Sequence, residues 1–508
     1  VKAMQKTKDS ISIKILSLPD PRAMRRWLYL LLAVALALGG WLLLSRLFLV
    51  GASVANRPLS NGGQTHIWPT EVINSPMASG RSFINITNRS LAYYTNKDRT
   101  FQQLHLAYGG GNNLYYAKSD WPSSWNFPRW TSWVTSVVTT TSNMVEWVSI
   151  AVDYRNRPHI AYYSNGCLRY QFSGSDQNWI NTPKVDCDNT PLPLVEENMM
   201  LFDDLGWVEH EPIALSNNQE NGISSLAELT SGAGKYTSIA IDSDGRPHIS
   251  YAKFYRRSDR NYHKLKYAYF DGAKWNIEMV YENKNMLRSL NEGLFTSIAI
   301  DSRDRPHIAF LDDDHDKLRY AFSPRAGSWT FSYPIPPDDS RNVGGWTSLI
   351  LRPGEPQDKP FIAFYDKTNG ALMMAEGAYD TRIQNYTWKT YQIDNNGDVG
   401  LSASLAIKDG KDFGVSYFDE TSDSIRFASG NSKNWNIETV SPSSTRTGRY
   451  SSLVFDFNQK PHIVYFDLLE GMFYEAYQIT TTWNIRKIPT PFSEALEVRV
   501  IFLPLIIR

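Results

Sequence analysis

Seven tryptophans recur in register along this 508-residue chain, and no other feature limits its fold so tightly. Trp125 follows His105, Trp179 follows His159, Trp275 follows His248, Trp329 follows His307, Trp388 follows Phe361, Trp435 follows Gly414 and Trp483 follows His462, each 20 to 27 residues later. The earlier member of each pair lies in a short strand-like motif of the type Pro-His-Ile-Ala-Tyr. A self-similar unit of about 50 residues holding several strand patterns is the mark of a β-propeller, one unit per blade. Repeat folds escape the usual ceiling on domain size, so one ring accommodates most of the chain.

The third unit shows the blade best. Residues 237–242 alternate small or polar with branched apolar side chains, as a half-buried strand does. Ser243-Asp244-Gly245-Arg246-Pro247 is a turn, and 248–251 a second strand. Residues 265–270 form a third strand, closed by the hairpin pair Asp271-Gly272, and 275–280 a fourth. First strands of the other units fall at 147–153, 296–301, 346–351, 402–407 and 451–456, with 90–96 in the least regular, first unit. The expectation is an all-β, seven-bladed propeller over about 89–490, with an eight-bladed ring built from both termini as the alternative. Residues 68–73 resemble a stray fourth strand that would clasp the ring by pairing with the last blade. The apolar run 498–508 is too short to cross a membrane and reads as a further strand or a docked tail.

Formal net charge is zero, but unevenly spread. Lys2, Lys6, Lys8, Lys14, Arg22, Arg25, Arg26 and Arg46 against Asp9 and Asp20 give residues 1–50 a charge of +6 and leave −6 for the rest. A mildly acidic outer domain excludes a nucleic-acid partner, which wants a basic surface. Residues 27–50 are almost wholly apolar, long enough to span a bilayer, and follow a basic stretch of 1–26. They read as an uncleaved signal anchor, with a linker over 51–88. The competing reading is a signal peptide starting at Met24 and cleaved after Ser53-Val54-Ala55. Both place the propeller outside the cytoplasm, where Cys167 and Cys187 are free to pair.

Residues that recur in every blade serve the blade. Five histidines around a ring stand too far apart to share an ion, so each is expected to hydrogen-bond within or between blades. The tryptophans pack blade on blade. Asp312, Asp366, Asp419 and Asp467 each lie five residues past the histidine register and cap the following turn. Function is sought where the chain departs from its repeat, in the loops of one face. Connections between strands two and three, and between blades, share that face. Three departures fall there in consecutive blades. One is an insertion over 186–235 containing Asp203, Asp204, Trp207 and Glu209. Another is a basic loop with Tyr255, Arg256, Arg257, Arg260, Tyr262 and His263, and the third an acidic loop with Asp312, Asp313, Asp314 and Asp316. Charge pairing between the two loops is the simplest account of them. No resident metal or cofactor is expected. Calcium at the acidic loop is the minor alternative; residues 394–398 open like a calcium loop, but Leu405 stands where its closing glutamate belongs.

The pattern of residues 296–310, Ser-Ile-Ala-Ile-Asp running on to Pro-His-Ile-Ala, resembles the repeat of bacterial secreted propellers of the sialidase-like, or BNR-repeat-like, grouping. The resemblance implies the fold and an extracytoplasmic place. It does not extend to a sialidase site. Ser243-Asp244-Gly245 lies on the wrong turn for the Asp box of that family, and Arg256, Arg257 and Arg260 come from one loop instead of three blades. The reading is therefore a monomeric binding or scaffold propeller whose ligand is a carbohydrate or a protein. The alternative is a glycan-active hydrolase or lyase with Asp203, Asp204 or Glu209 set against 312–316.

Overall fold

The computed structural model describes residues 84–85, 89–121, 130–174, 178–182, 184–187, 200–203, 206–209, 232–257, 260–280, 292–441, 447–467 and 470–490. The expected anchor at 27–50, the stray strand at 68–73 and the tail at 498–508 lie outside them. Among the described residues no helix is long and apolar enough to cross a membrane.

Seven antiparallel sheets follow one another along the chain. Blade three is typical: Gly232–Ile241, Pro247–Arg257, Arg260–Phe270 and Trp275–Met279, hydrogen-bonded in chain order. Blades four to seven repeat this plan, ending with Trp483–Ile488 in blade seven. In blade one the innermost strand comes in two pieces, Ile84–Asn85 and Leu91–Thr95, both paired with Gln102–Gly110. In blade two the outermost strand is split into Trp179–Asn181 and Asp186–Cys187, both paired with Cys167–Ser173. A hairpin of Met200–Asp203 and Gly206–Glu209 belongs to a separate compact unit and sets Trp207 opposite Phe202.

The register tryptophans do pack blade on blade. Trp179, Trp275, Trp329 and Trp388 each stand edge-on, 4.8–5.4 Å between ring centres, against a tyrosine of the preceding blade: Tyr116, Tyr170, Tyr267 and Tyr320. Trp125 lies outside the described residues; at its seam, Trp130 stands edge-on to His462 of blade seven. Trp133 donates its indole N–H to Glu475 of blade seven at 2.6 Å. Blade seven thus closes on blade one, and the ring has seven blades, not eight.

Sequence also dictates the centre. In blades two to seven the innermost strand carries a serine whose hydroxyl accepts the backbone N–H of the next blade's innermost strand. Ser149 takes Ile239, Ser238 takes Ile298, Ser297 takes Leu349, Ser348 takes Leu405, Ser404 takes Leu453, and Ser452 takes Leu91 across the seam. Two residues earlier, Trp147, Tyr236, Phe295, Trp346 and Tyr450 adopt positive φ at a bulge and turn their rings inward. Their centres form a chain at 4.1, 5.0, 5.4 and 6.2 Å that fills the middle of the ring. Arg89 of blade one crosses the same space to the Leu349 carbonyl at 2.5 Å and to the Ser297 hydroxyl.

Candidate functional site

The histidines look catalytic and are structural. His159 and His248 Nδ1 lie 2.5 Å from the hydroxyls of Tyr170 and Tyr267, His105 Nδ1 lies 2.7 Å from Tyr116, and His307 meets Tyr320 in the same way. Nε2 of His248 and His307 lies 3.3 Å from Asp242 and Asp301, which cap the preceding turn. Burial holds His159 and His307 below the ordinary imidazole range and takes His105 down to about 3. His105, His159 and His307 are thus neutral spacers in blades one, two and four. The capping role expected of Asp366, Asp419 and Asp467 also holds, since each accepts a backbone N–H of its turn.

Asp312 departs from that role, and the structure gathers buried charge around it. It is fully buried and faces Glu292, also buried, across the ladder of blade four. Arg319, from the third strand, pairs with Glu292 and lies 3.7 Å from Asp312. Tyr333 donates its hydroxyl to Asp312 Oδ2 at 2.8 Å, and His315 Nδ1 lies 3.0 Å from the same oxygen. Asp312 Oδ1 is buried with no hydrogen-bond partner. The Arg319 guanidinium stacks 5.0 Å from the Tyr333 ring centre. Burial raises Glu292 to about 7 against the pull of Arg319, with Asp312 adding to the rise. Burial, then Asp316, Asp314 and Asp312, raises Asp313 to about 7 as well. The half-buried Tyr333 and His315, 44% exposed, open the cluster to solvent.

The blade-three residues come to this site only in part. Of the residues 255–263 read above as a loop, 255–257 and 260–263 are strand: the ladder continues through Tyr255–Tyr262 and Arg256–Asn261 to Arg257–Arg260. His263 stacks on Phe254 at 5.2 Å and brings Nε2 to 3.9 Å from Asp313. Burial lowers His263 to about 3, so this meeting of the two segments is not a solvated ion pair. Tyr255 goes elsewhere, with Lys253 5.6 Å from its ring centre.

The insertion is shorter than expected. Asp186 and Cys187 extend blade two, held by the Cys167–Cys187 disulfide, and Gly232–Ile241 is the inner strand of blade three, so only 188–231 are extra. Asp203, Trp207 and Glu209 stand in the hairpin of the other unit, and Asp204 lies outside the described residues. Within the blade-four sheet the carboxylate facing Asp312 is Glu292. Among the described residues no group of three or more His, Cys, Asp or Glu is disposed to hold a metal ion. Asp394, at the start of the calcium-like stretch, is taken by Tyr417 and Arg426 at 2.7 and 2.9 Å.

No family model matches the chain, and no curated protein matches it. Among solved structures it is similar to the Hadza microbial sialidase Hz136, at 13% identity over 70% of both chains and a TM-score of 0.38. It is also similar to polysaccharide lyase Uly1, at 11% identity over 86% of this chain and 95% of that one, TM-score 0.40. Porphyromonas gingivalis dipeptidyl peptidase 4 follows at 10% identity over 80% of this chain and 53% of that one, TM-score 0.36. A sialidase, a lyase and a peptidase differ in chemistry, and at such identities no activity transfers from them.

Proposed function

We propose that the protein is a carbohydrate-binding β-propeller whose ligand lies on the 2–3 face over blades three and four. One observation carries this reading. Asp312 keeps a buried acceptor oxygen without a partner beside the accessible Tyr333 ring and two protonable carboxyls. Buried acceptors are normally satisfied, and a hydroxyl-rich ligand with an apolar ring face supplies what this set lacks. The Cys167–Cys187 disulfide supports an oxidising, extracytoplasmic setting.

A second reading, glycan cleavage, is favoured by Glu292 and Asp313. Carboxyls raised to about 7 hold a proton to give at neutral pH, and Asp312 faces Glu292 across the ladder and adjoins Asp313 in the chain. The deciding experiment puts the full chain on a broad glycan array and follows the same mixtures by mass spectrometry. Retention without products, lost in Asp312→Asn and in Tyr333→Ala, supports binding. Released products that vanish in Glu292→Gln support cleavage. Retention indifferent to all three substitutions, or none at all, overturns the site.

A further inference from the structure

Blades three and six build the same arrangement on their 2–3 ends with opposite charge balance. In blade six, Tyr417 donates to Asp394 of the preceding blade at 2.7 Å. Arg426, opposite Tyr417 in the ladder, reaches Asp394 at 2.9 Å and Asp419 at 2.6 Å. One cation thus answers two carboxylates. In blade three, Tyr251 donates to Asp186 of the preceding blade at 2.8 Å, and Lys266 stands opposite Tyr251 in the ladder. The position five past the histidine register, aspartate in blades four to seven, is Lys253 here. Lys253 lies 3.2 Å and Lys266 3.7 Å from the two oxygens of Asp186. Two ammoniums, 12% and 14% exposed, share one carboxylate among the described residues. Burial pulls Lys266 below its usual range against Asp186, and Lys253 pulls it further. Charges held this far from water want full compensation, and among the described residues these two ammoniums meet one negative charge. The Tyr255 ring lies beside Lys253, and the disulfide fixes the strand that presents Asp186.

We propose that Lys253 and Lys266 form an oxyanion subsite that takes the carboxylate or sulfate of an acidic sugar. This rests on the carbohydrate reading above and narrows it to anionic glycans. The test titrates matched oligosaccharides into the full chain by calorimetry: a uronate and its carboxyl-reduced form, then a sulfated sugar and its desulfated form. Either acidic member is expected to bind about tenfold tighter than its neutral counterpart, a margin that shrinks with salt. Whichever pair shows the margin identifies the anion. Lys253→Gln and Lys266→Gln are expected to erase the margin and keep neutral-sugar binding, whereas Asp312→Asn weakens both members and keeps their ratio. No margin in the native protein, or a margin that survives both lysine substitutions, overturns the subsite. If no sugar binds, the carbohydrate reading falls, and sodium sulfate against sodium chloride at equal ionic strength decides the subsite alone. A sulfate-dependent rise in Tm that Lys253→Gln abolishes sustains it, and equal melting in the two salts removes it.

Discussion

Replacing His307 with alanine would strip Asp301 and Tyr320 of their common partner inside a fully buried site. Each lost partner in such a place costs about 1–3 kcal/mol, so the urea midpoint should fall while glycan retention stays unchanged. A loss of binding at unchanged stability would make the histidine functional after all. Asp313 behaves in the opposite sense. Its folded value of about 7 lies above the ordinary carboxylate range because burial and then Asp316, Asp314 and Asp312 disfavour its charge. Its contribution to stability is therefore complete below about pH 4 and is lost as pH rises through that folded value. Asp313→Asn should raise Tm by about 2–4 °C or more at pH 8 and leave it unchanged at pH 4. An equal gain at both values would contradict the assignment. The acidic run around Asp313 was visible in the sequence; Glu292 was not. It sits alone at the head of a strand, 27 residues from Arg319, and nothing local marks it. The signal available was positional, because blades five and six open the same strand with Val343 and Val399. Lys253 had the same kind of signal, a lysine where four other blades carry aspartate.

Among the elements, the innermost strand bears the tightest constraint. Gly344 has φ of 117°, and a Cβ there would come within 2.5 Å of the Leu318 backbone nitrogen in the preceding blade. Gly344→Ala meets both the wrong backbone region and a neighbour that cannot yield, so a loss of more than about 2 kcal/mol is expected in chemical denaturation. A neutral outcome would mean that blades four and five are not packed this closely. The disulfide is the other element-level tie. Cys187→Ser should cost about 2–4 kcal/mol, and it should also loosen Asp186 from Lys253 and Lys266, read as faster amide exchange in the strand Pro247–Arg257. Strand order and turns were legible because alternation, the Arg/Lys-Pro step and Asp-Gly pairs are local signals. The strands at 255–257 and 260–263 were misread because charge suggested a loop, whereas the ladder of blade three runs on to the Arg257–Arg260 pair. The inter-blade serines were equally legible in principle, as an aromatic or small residue followed by Thr-Ser or its like in each inner strand, but their meaning needs the neighbouring blade's N–H.

At the scale of the ring, the seam between blades seven and one differs from every other. Where blades one to four set a tyrosine against the histidine, blade seven sets Glu475, fully buried and bonded to His462 Nδ1 at 2.7 Å, Arg486 Nε at 2.6 Å and Trp133 at 2.6 Å. His462 is lowered by burial but raised more by Asp456 and Glu475, and its net displacement is upward. Its contribution is whole below about pH 6.5 and is lost as pH climbs through the raised value. Glu475 is raised by burial and lowered more by His462, Arg486 and Trp133, so its contribution is lost as pH falls through its depressed value. The seam should thus be tightest in mild acid. Hydrogen exchange, corrected for intrinsic rates, should show peptides over 134–140 and 472–488 opening more at pH 8.5 than at pH 6, with peptides between blades four and five unaffected. Uniform opening around the ring, or the same pattern in Glu475→Gln, would sink this. The seam contacts of Trp130 and Trp133 were not legible in the sequence, because no repeat register picks these two residues out. The stacked rings of Trp147, Tyr236, Phe295, Trp346 and Tyr450, with Arg89 across them, carry one last implication. Among the described residues these side chains span the hub of the wheel. Whatever the protein holds must arrive and depart by the same door, so a long polymer can lie across its face but cannot be threaded through it.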